Sequence, residues 1–232
     1  MASVEKNNEL IELARTFNHI PWSEHYEEMI SGMMYNPNAP ELIAARMRAR
    51  SANEDFNTFS GRDLPFDQVF AAKNALLKNV VGRIGEGSFF EAPFHADYGC
   101  NVSVGKDSVA NFNLVILDTS LVIIGDRVQM GPNVSIYTVN HSTSVLSRRK
   151  YVEYGHPIRI EDDCWIGGGV TILPGVTVGK GSTVGAGSVV TKSIPPYSVA
   201  IGSPARVVKT VPTVEEEEAD VNNPYRNLVR KF

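Results

Sequence analysis

One histidine, His141, lies at a position in the sequence from which its ring could act in catalysis. It ends the segment IYTVNH and is followed at once by STSVLSRRKYVEYGH, a stretch of different composition. An imidazole, with an unperturbed pKa of about 6.5, suits a general base at neutral pH, because it can take the proton of a hydroxyl and make the oxygen a better nucleophile. A lone histidine is more often structural than catalytic, so the surrounding elements must decide between the two roles.

The sequence gives little support to covalent or metal-dependent chemistry. No Ser, Cys or Lys lies in a recognisable nucleophile motif. The two cysteines, Cys100 and Cys164, are too few for a disulfide framework or a set of metal ligands, and both occupy positions where small apolar residues are usual. We therefore predict buried free thiols, no metal site and a reducing, cytoplasmic setting.

The elements that must position His141 are marked by a six-residue repeat. A period of six fits neither an amphipathic helix nor an alternating strand. It is typical of a hexapeptide parallel β-helix, in which each hexad forms one face of a coil and its aliphatic residue points inward. The repeat is clearest over residues 158–195, where the recurring aliphatic residues are Ile160, Ile166, Ile172, Val178, Val184 and Val190.

The same repeat extends towards the N-terminus and is interrupted once. It begins weakly near Ile84 and runs through Ile124 to Ile136, with one slip of two residues. The interval from Ile136 to Ile160 is a whole multiple of six, so residues 142–157 are predicted to be a loop ejected from a continuous solenoid. Such loops often carry binding and catalytic residues. This prediction places the histidine described above at the base of the loop.

The chain before the repeat predicts a helical cap over residues 1–80. One helix begins at Pro40, which fits a first turn, and carries an apolar stripe that includes Leu42 and Met47. Another is predicted over residues 64–81. Repeat architectures need their open ends shielded, and three short helices before a solenoid are best explained as such a cap.

The remaining domain boundaries and the composition complete this outline. Residues 81–211 are predicted to form the β-helix and residues 212–232 a C-terminal tail. The 232 residues carry a net charge of −4, without a basic stripe interleaved with aromatics, so we expect no nucleic-acid partner. No apolar run is long enough to span a bilayer, and the opening MASVEKNNELIELART lacks the apolar core of a signal peptide, so we expect no membrane partner.

Longer segments resemble the maltose and galactoside O-acetyltransferases. The segment EEMISGMMYNPNAPELIAARMRA resembles the family's N-terminal helical motif, at about residues 25–80 of this chain. ANFNLVILD, IGDRVQMGPNVSIYTVNH and EYGHPIRIEDDCWIGGGVTILPGVTVGKGSTVGAGSVVTKSIPPYSVAIGSPARVV resemble its β-helix. The resemblance covers about residues 25–210. It implies a mainly β, left-handed parallel β-helix that transfers acetyl from acetyl-CoA to a sugar hydroxyl without a covalent intermediate.

The resemblance also implies roles for residues near the ejected loop. His141 matches the family's catalytic histidine, and Glu153 is predicted to orient its ring as the third member of a triad does, although a plain surface carboxylate is an equal alternative. The acceptor would be contacted by Asn111, Asp97, Tyr98 and Asn36. Asn36 lies near the family's acidic sugar-binding position, and Val109 stands where the galactoside enzyme has tyrosine.

The implied acetyl-CoA site lies along the C-terminal coils, in a groove between subunits. Trp165 would flank the pantetheine end, and Gly168 and Ala186 would leave room for the arm. The phosphates and nucleotide would be met by Thr191, Lys192, Arg206 and Lys209, because an acidic protein needs local cations to hold a polyanion. A site shared between subunits, on a solenoid with three flat faces, implies a homotrimer.

Three alternatives remain open at this level. The acceptor could be a non-sugar hydroxyl, as in an antibiotic or an amino acid. A zinc hydratase like the γ-type carbonic anhydrases needs three histidines around the metal, and no spaced histidine pair flanks the coils. A structural solenoid with a catalytically inactive site would leave His141 without a catalytic role.

Overall fold

The computed structural model describes residues 2–228, so the last four residues of the predicted tail lie outside the described residues. Its helices, numbered in chain order, are α1 (Asn8–Ala14), α2 (Glu24–Ile30), α3 (Pro40–Thr58), α4 (Phe66–Val80), α5 (Val145–Arg149) and α6 (Val214–Ala219).

The strands form three largely parallel sheets that the chain visits in rotation, which makes a parallel β-helix. Sheet I contains β1 (Arg83–Ile84), β4 (Val102–Val104), β7 (Val122–Ile124), β12 (Ile158–Ile160) and β15 (Thr177–Val178). Sheet II contains β2 (Phe89–Phe90), β5 (Val109–Ala110), β8 (Gln129–Met130), β13 (Trp165–Ile166), β16 (Thr183–Val184), β18 (Ser198–Ile201) and β19 (Arg206–Thr210). Sheet III contains β3 (Phe94–Ala96), β6 (Leu114–Leu117), β9 (Ser135–Tyr137), β14 (Thr171–Ile172) and β17 (Val189–Val190).

The hexad residues form the core of the helix, as the repeat predicts. Ile160 pairs with Ile124 in the coil below and with Val178 in the coil above. Ile166 is likewise flanked by Met130 and Val184. Nearly all of these side chains are buried, and each contributes about 1.5–3 kcal/mol by leaving water. The stacked columns make the prism stiff enough to hold groups at its corners in fixed positions.

The helical segment packs on the N-terminal end of the prism. Phe56 of α3 and Leu77 and Val80 of α4 belong to the same apolar cluster as the first coils. Helices α1 and α2 form a second cluster against Leu121 and its neighbours on the coil surface. The predicted stripe on α3 is wrong at Met47, which is 61% exposed. The buried residues of α3 are Leu42, Ala45, Ala49, Asn53 and Phe56, a helical spacing that leaves position 47 on the opposite face.

The interruption after β9 is a short hairpin with a helix at its tip. Strands β10 (Val139–His141) and β11 (Glu153–Gly155) pair antiparallel, and α5 lies between them. The chain then re-enters the prism at β12, in register with β7. The ejected segment therefore starts from the corner between sheets III and I, and we call this the III–I corner.

The C-terminal part folds back on the last coil. Strand β19 pairs antiparallel with β18, and α6 follows with a capping box between Thr213 and Glu216. Among residues 2–228, no helix combines the length and apolar character needed to cross a bilayer.

Candidate active site

The hairpin places His141 and Glu153 opposite each other. They are directly paired across β10 and β11, and side chains at such positions lie close together on one face of the ribbon. The Nε2 atom of His141 lies 4.0 Å from Oε2 of Glu153. The histidine side chain is 51% exposed, so its ring projects from the prism towards solvent and is not packed in the interior.

The ring of His141 is oriented by the backbone. Its Nδ1 atom lies 3.3 Å from the carbonyl oxygen of Val152, an acceptor that favours the tautomer with the proton on Nδ1. The lone pair is then on Nε2, the atom that faces Glu153. The Val152 carbonyl thus contacts one ring nitrogen and Glu153 faces the other, and the orienting role of Glu153 stays a prediction. The carboxylate also lies where it would stabilise a proton gained at Nε2.

Asp97 and Tyr98 follow β3 and so belong to the same III–I corner. Burial raises the pKa of Asp97, while the cations Arg46 and Arg50 on α3 oppose the rise. Asp97 is half-buried and therefore still presents surface at the corner.

Tyr98, predicted to contact the acceptor, has a different position. It is 1% exposed, and its hydroxyl accepts a hydrogen bond from Nη1 of Arg46. Its backbone N–H donates to the fully buried carboxylate of Asp118 at 2.9 Å. A side chain enclosed in this way supports the corner from beneath and offers no surface to an acceptor, which corrects the prediction.

A second group of predicted residues lies at the corner between sheets II and III, which we call the II–III corner. Asn111 follows β5, Trp165 lies on β13, and Gly168 and Ala186 follow β13 and β16. The Trp165 side chain is 57% exposed. A Cβ added to Gly131 would lie 2.6 Å from the nitrogen of Gly168, so small residues stack closely at this corner. The II–III corner is thus a narrow ledge beside an exposed indole.

The predicted phosphate-binding residues lie at the C-terminal end of the prism. Lys192 and Arg206 line one cavity of about 280 Å³ together with Ser193 and Ala205. Thr191 and Lys209 are exposed nearby in the chain, after β17 and on β19. Lys192, Arg206 and Lys209 form none of the ion pairs found among the described residues, so these cations are available to an anionic ligand.

One predicted acceptor residue and one unpredicted residue come from the segment between α2 and α3. Asn36 is exposed, and its side-chain oxygen accepts from the N–H of Asn38 at 3.0 Å, which makes it a turn residue here. The neighbouring Tyr35 is buried and its hydroxyl donates to Oε1 of Glu153. No spacing in the sequence marks Tyr35 as a site residue, because its partner Glu153 is far away in the chain. Only the docking of the cap on the hairpin brings the two together.

A metal centre has no candidate among residues 2–228, where no three His, Cys, Asp or Glu side chains are grouped so that they could hold an ion. Both cysteines, Cys100 and Cys164, are free and buried, as predicted.

Two family models match the chain. The maltose acetyltransferase hexapeptide capping motif matches residues 28–85, and the hexapeptide repeat of succinyl-transferase matches residues 157–192. Sophorolipid acetyltransferase of Starmerella bombicola is 38% identical over 220 residues, which cover 93% of this chain and 85% of that protein. The crystal structure of a maltose O-acetyltransferase from Clostridium difficile 630 is 37% identical and superposes with a TM-score of 0.77, covering 82% of this chain and 99% of that one.

The chain belongs to the maltose and galactoside O-acetyltransferase family. A galactoside acetyltransferase in complex with coenzyme A adds to this, since it is 33% identical, superposes with a TM-score of 0.74 and covers 82% of this chain and 92% of that one. The predicted left-handed parallel β-helix of hexapeptide repeats is confirmed by these neighbours. The protein is an acetyl-CoA-dependent acetyltransferase of the sugar O-acetyltransferase type.

The residues of the C-terminal coils fit the ligand that family membership requires. A Cβ added to Gly168 would approach Pro132 to 3.2 Å, so the absence of a side chain keeps the ledge open. Cations at one end of this ledge and an indole along it suit a ligand with phosphates at one end and a thin, largely neutral arm.

Proposed function

We propose that this protein transfers the acetyl group of acetyl-CoA to a hydroxyl of a sugar or sugar-like acceptor, with His141 as the general base. The observation that carries the proposal is the exposed imidazole, whose Nδ1 faces the Val152 carbonyl and whose Nε2 is left for proton transfer beside Glu153. A buried ring or one without an orienting partner would have argued for a structural role.

The reaction needs one base and no covalent enzyme intermediate. Nε2 of His141 takes the proton of the acceptor hydroxyl as its oxygen attacks the thioester carbonyl carbon. The carbon–sulfur bond then breaks, and the imidazolium returns the proton to the departing thiolate. Glu153 lies beside Nε2 and stabilises the imidazolium while it exists.

The two halves of the site lie at different corners of one chain. His141, Glu153 and Asp97 are at the III–I corner, whereas Asn111 and Trp165 are at the II–III corner, with sheet III between them. In a threefold assembly of such prisms, the III–I corner of one subunit would lie against the II–III corner of the next. We therefore propose a homotrimer in which each site combines the base of one protomer with the ledge of its neighbour.

Within that groove the cofactor residues have distinct roles. Trp165 flanks the pantetheine arm and Gly168 and Ala186 line its path, while the phosphates and nucleotide are held by Thr191, Lys192, Arg206 and Lys209. The acceptor is held on the other side by Asp97, Asn111 and residues near Asn36. Free buried thiols at Cys100 and Cys164 are compatible with a reducing cytoplasm, which we propose as the compartment.

A thiol-release assay with acetyl-CoA tests the proposal. The acceptor panel contains maltose, a galactoside and a sophorolipid, which the names of relatives supply, together with amino sugars and non-sugar alcohols. We expect turnover with at least one sugar-containing acceptor. The His141→Ala variant should lose about 10²–10⁴-fold in kcat while it retains coenzyme A binding.

Three results would each contradict one part of the proposal. Unchanged turnover of His141→Ala would remove the general base, and turnover confined to non-sugar alcohols would move the acceptor to the alternative class. A mass measurement of the native assembly that finds single chains would contradict the shared site.

A further inference from the structure

The carboxylate of Glu153 has two partners on opposite sides. Oε2 lies 4.0 Å from Nε2 of His141, while Oε1 accepts a hydrogen bond from the hydroxyl of Tyr35. Tyr35 belongs to the helical segment, and Glu153 to the ejected hairpin. The helical segment thus reaches the group that faces the proposed base.

The hydroxyl of Tyr35 is enclosed and remains a donor. The residue is 8% exposed, and burial, followed by the neighbouring Tyr98 and Glu153, raises its pKa well above the usual range for tyrosine. It therefore keeps its proton at neutral pH. A neutral hydroxyl that always donates fixes the rotation of the carboxylate it contacts.

A second layer holds Tyr35 in place. Tyr98 is a close neighbour that helps to raise the pKa of Tyr35, and its own hydroxyl accepts a hydrogen bond from Nη1 of Arg46. The other arm of the same guanidinium donates to the carbonyl of Pro37 at 2.6 Å. Arg46 on α3 thus clamps both the segment that carries Tyr35 and the tyrosine beneath it.

The backbone beneath this chain of contacts is closely packed. Gly32 has φ +78, and a Cβ there would lie 2.8 Å from the carbonyl oxygen of Gly155 on β11. Ser120 donates to the carbonyl of Ile30 at 2.7 Å, which ties the end of α2 to the coil. The helical segment is therefore held against the hairpin without a gap in which Tyr35 could drift.

We propose that Tyr35 is a positioning residue, which fixes Glu153 so that one carboxylate oxygen always faces Nε2 of His141. This inference rests on the proposed function, since it assigns a purpose to the carboxylate beside the base. It gives the helical segment a role in catalysis, in addition to covering the N-terminal end of the β-helix. Tyr35 touches neither reactant and acts through Glu153.

The test is Tyr35→Phe, which deletes the hydroxyl and keeps the ring. We expect kcat to fall about tenfold, as for a lost hydrogen bond to a charged group, while the KM for acetyl-CoA changes less than about twofold. Tyr26→Phe is the matched control, because Tyr26 is also buried in the helical segment and donates to Asn101 at 2.8 Å, away from Glu153. That variant should keep the kcat of the wild type.

A double-mutant cycle separates positioning from a general loss of structure. In a Glu153→Ala background the hydroxyl has no carboxylate to hold, so adding Tyr35→Phe should cause no further loss of kcat. If the two losses multiply, Tyr35 does not act through Glu153 and the proposal is overturned. An equal kcat loss in Tyr26→Phe would also overturn it, by showing that any buried hydroxyl has the same effect.

The outcome for His141→Ala keeps the two proposals distinct. If that variant is inactive and Tyr35→Phe has wild-type kcat, the positioning role fails and the proposed base stands. If His141→Ala keeps its activity, the proposed function fails first, whatever Tyr35→Phe does.

Discussion

The contact between Gly32 and Gly155 gives a prediction whose size follows from the backbone. Replacing Gly32 with Ala adds a Cβ at φ +78, 2.8 Å from a backbone oxygen that has no flexible side chain to yield. The left-handed conformation costs about 1–2 kcal/mol for a non-glycine residue. Forced overpacking adds about 1–3 kcal/mol. The variant should therefore be destabilised by about 2–5 kcal/mol.

Gly175→Ala supplies the matched control. Gly175 has the same φ of +78, but its added Cβ would meet the Cβ of His156 at 3.4 Å, an ordinary contact. It should show only the strain of about 1–2 kcal/mol. For a chain of this size 1 kcal/mol shifts the thermal midpoint by about 2–4 °C, so Gly32→Ala should melt at least about 2 °C below Gly175→Ala.

The Gly32→Ala and Gly175→Ala variants also separate an effect on stability from an effect on catalysis. The added methyl of Gly32→Ala pushes on β11, the strand that carries Glu153, so kcat well below the melting range should fall several-fold. Gly175→Ala should keep its kcat. Scanning calorimetry and thiol release measure the two quantities. Equal melting temperatures and equal kcat for the two variants would refute the claim that the helical segment is packed tightly against the hairpin.

Four further substitutions test other parts of the protein. Glu153→Gln removes the charge facing Nε2 and should lower kcat about tenfold with the KM for acetyl-CoA retained. Trp165→Ala and Arg206→Ala should each raise that KM about tenfold, and the second should also flatten its salt dependence. Burial raises the pKa of Asp118 to about 7, against about 3.9 in an unfolded chain. Between these two pKa values the folded state holds a proton that the unfolded state has lost, so the free energy of unfolding falls as pH rises through this interval. Asp118→Asn should therefore show a smaller fall in melting temperature from about pH 5 to pH 8.

The sequence predicts the fold best where the type of a residue, at its place in the repeat, already shows that its side chain is buried. An inward aliphatic residue every six positions is sufficient to predict the β-helix, because each coil repeats the same burial. The whole number of hexads between Ile136 and Ile160 likewise predicts a loop between them, and the structure has β10, α5 and β11 in that interval. Met47 was misjudged because a helix face depends on angular spacing that a short apolar pattern fixes poorly.

The features of the site also divide into those that the sequence predicts and those that only the structure shows. The sequence by itself determined the prism, the family and the candidate base, since these follow from local periodicity and from contiguous motifs. Only the tertiary structure decided that the Val152 carbonyl orients the ring, that Tyr98 is buried and that Tyr35 reaches Glu153. Those contacts join residues from the helical segment, an early coil and the hairpin, and their geometry depends on how the three units pack, which no single stretch of sequence encodes.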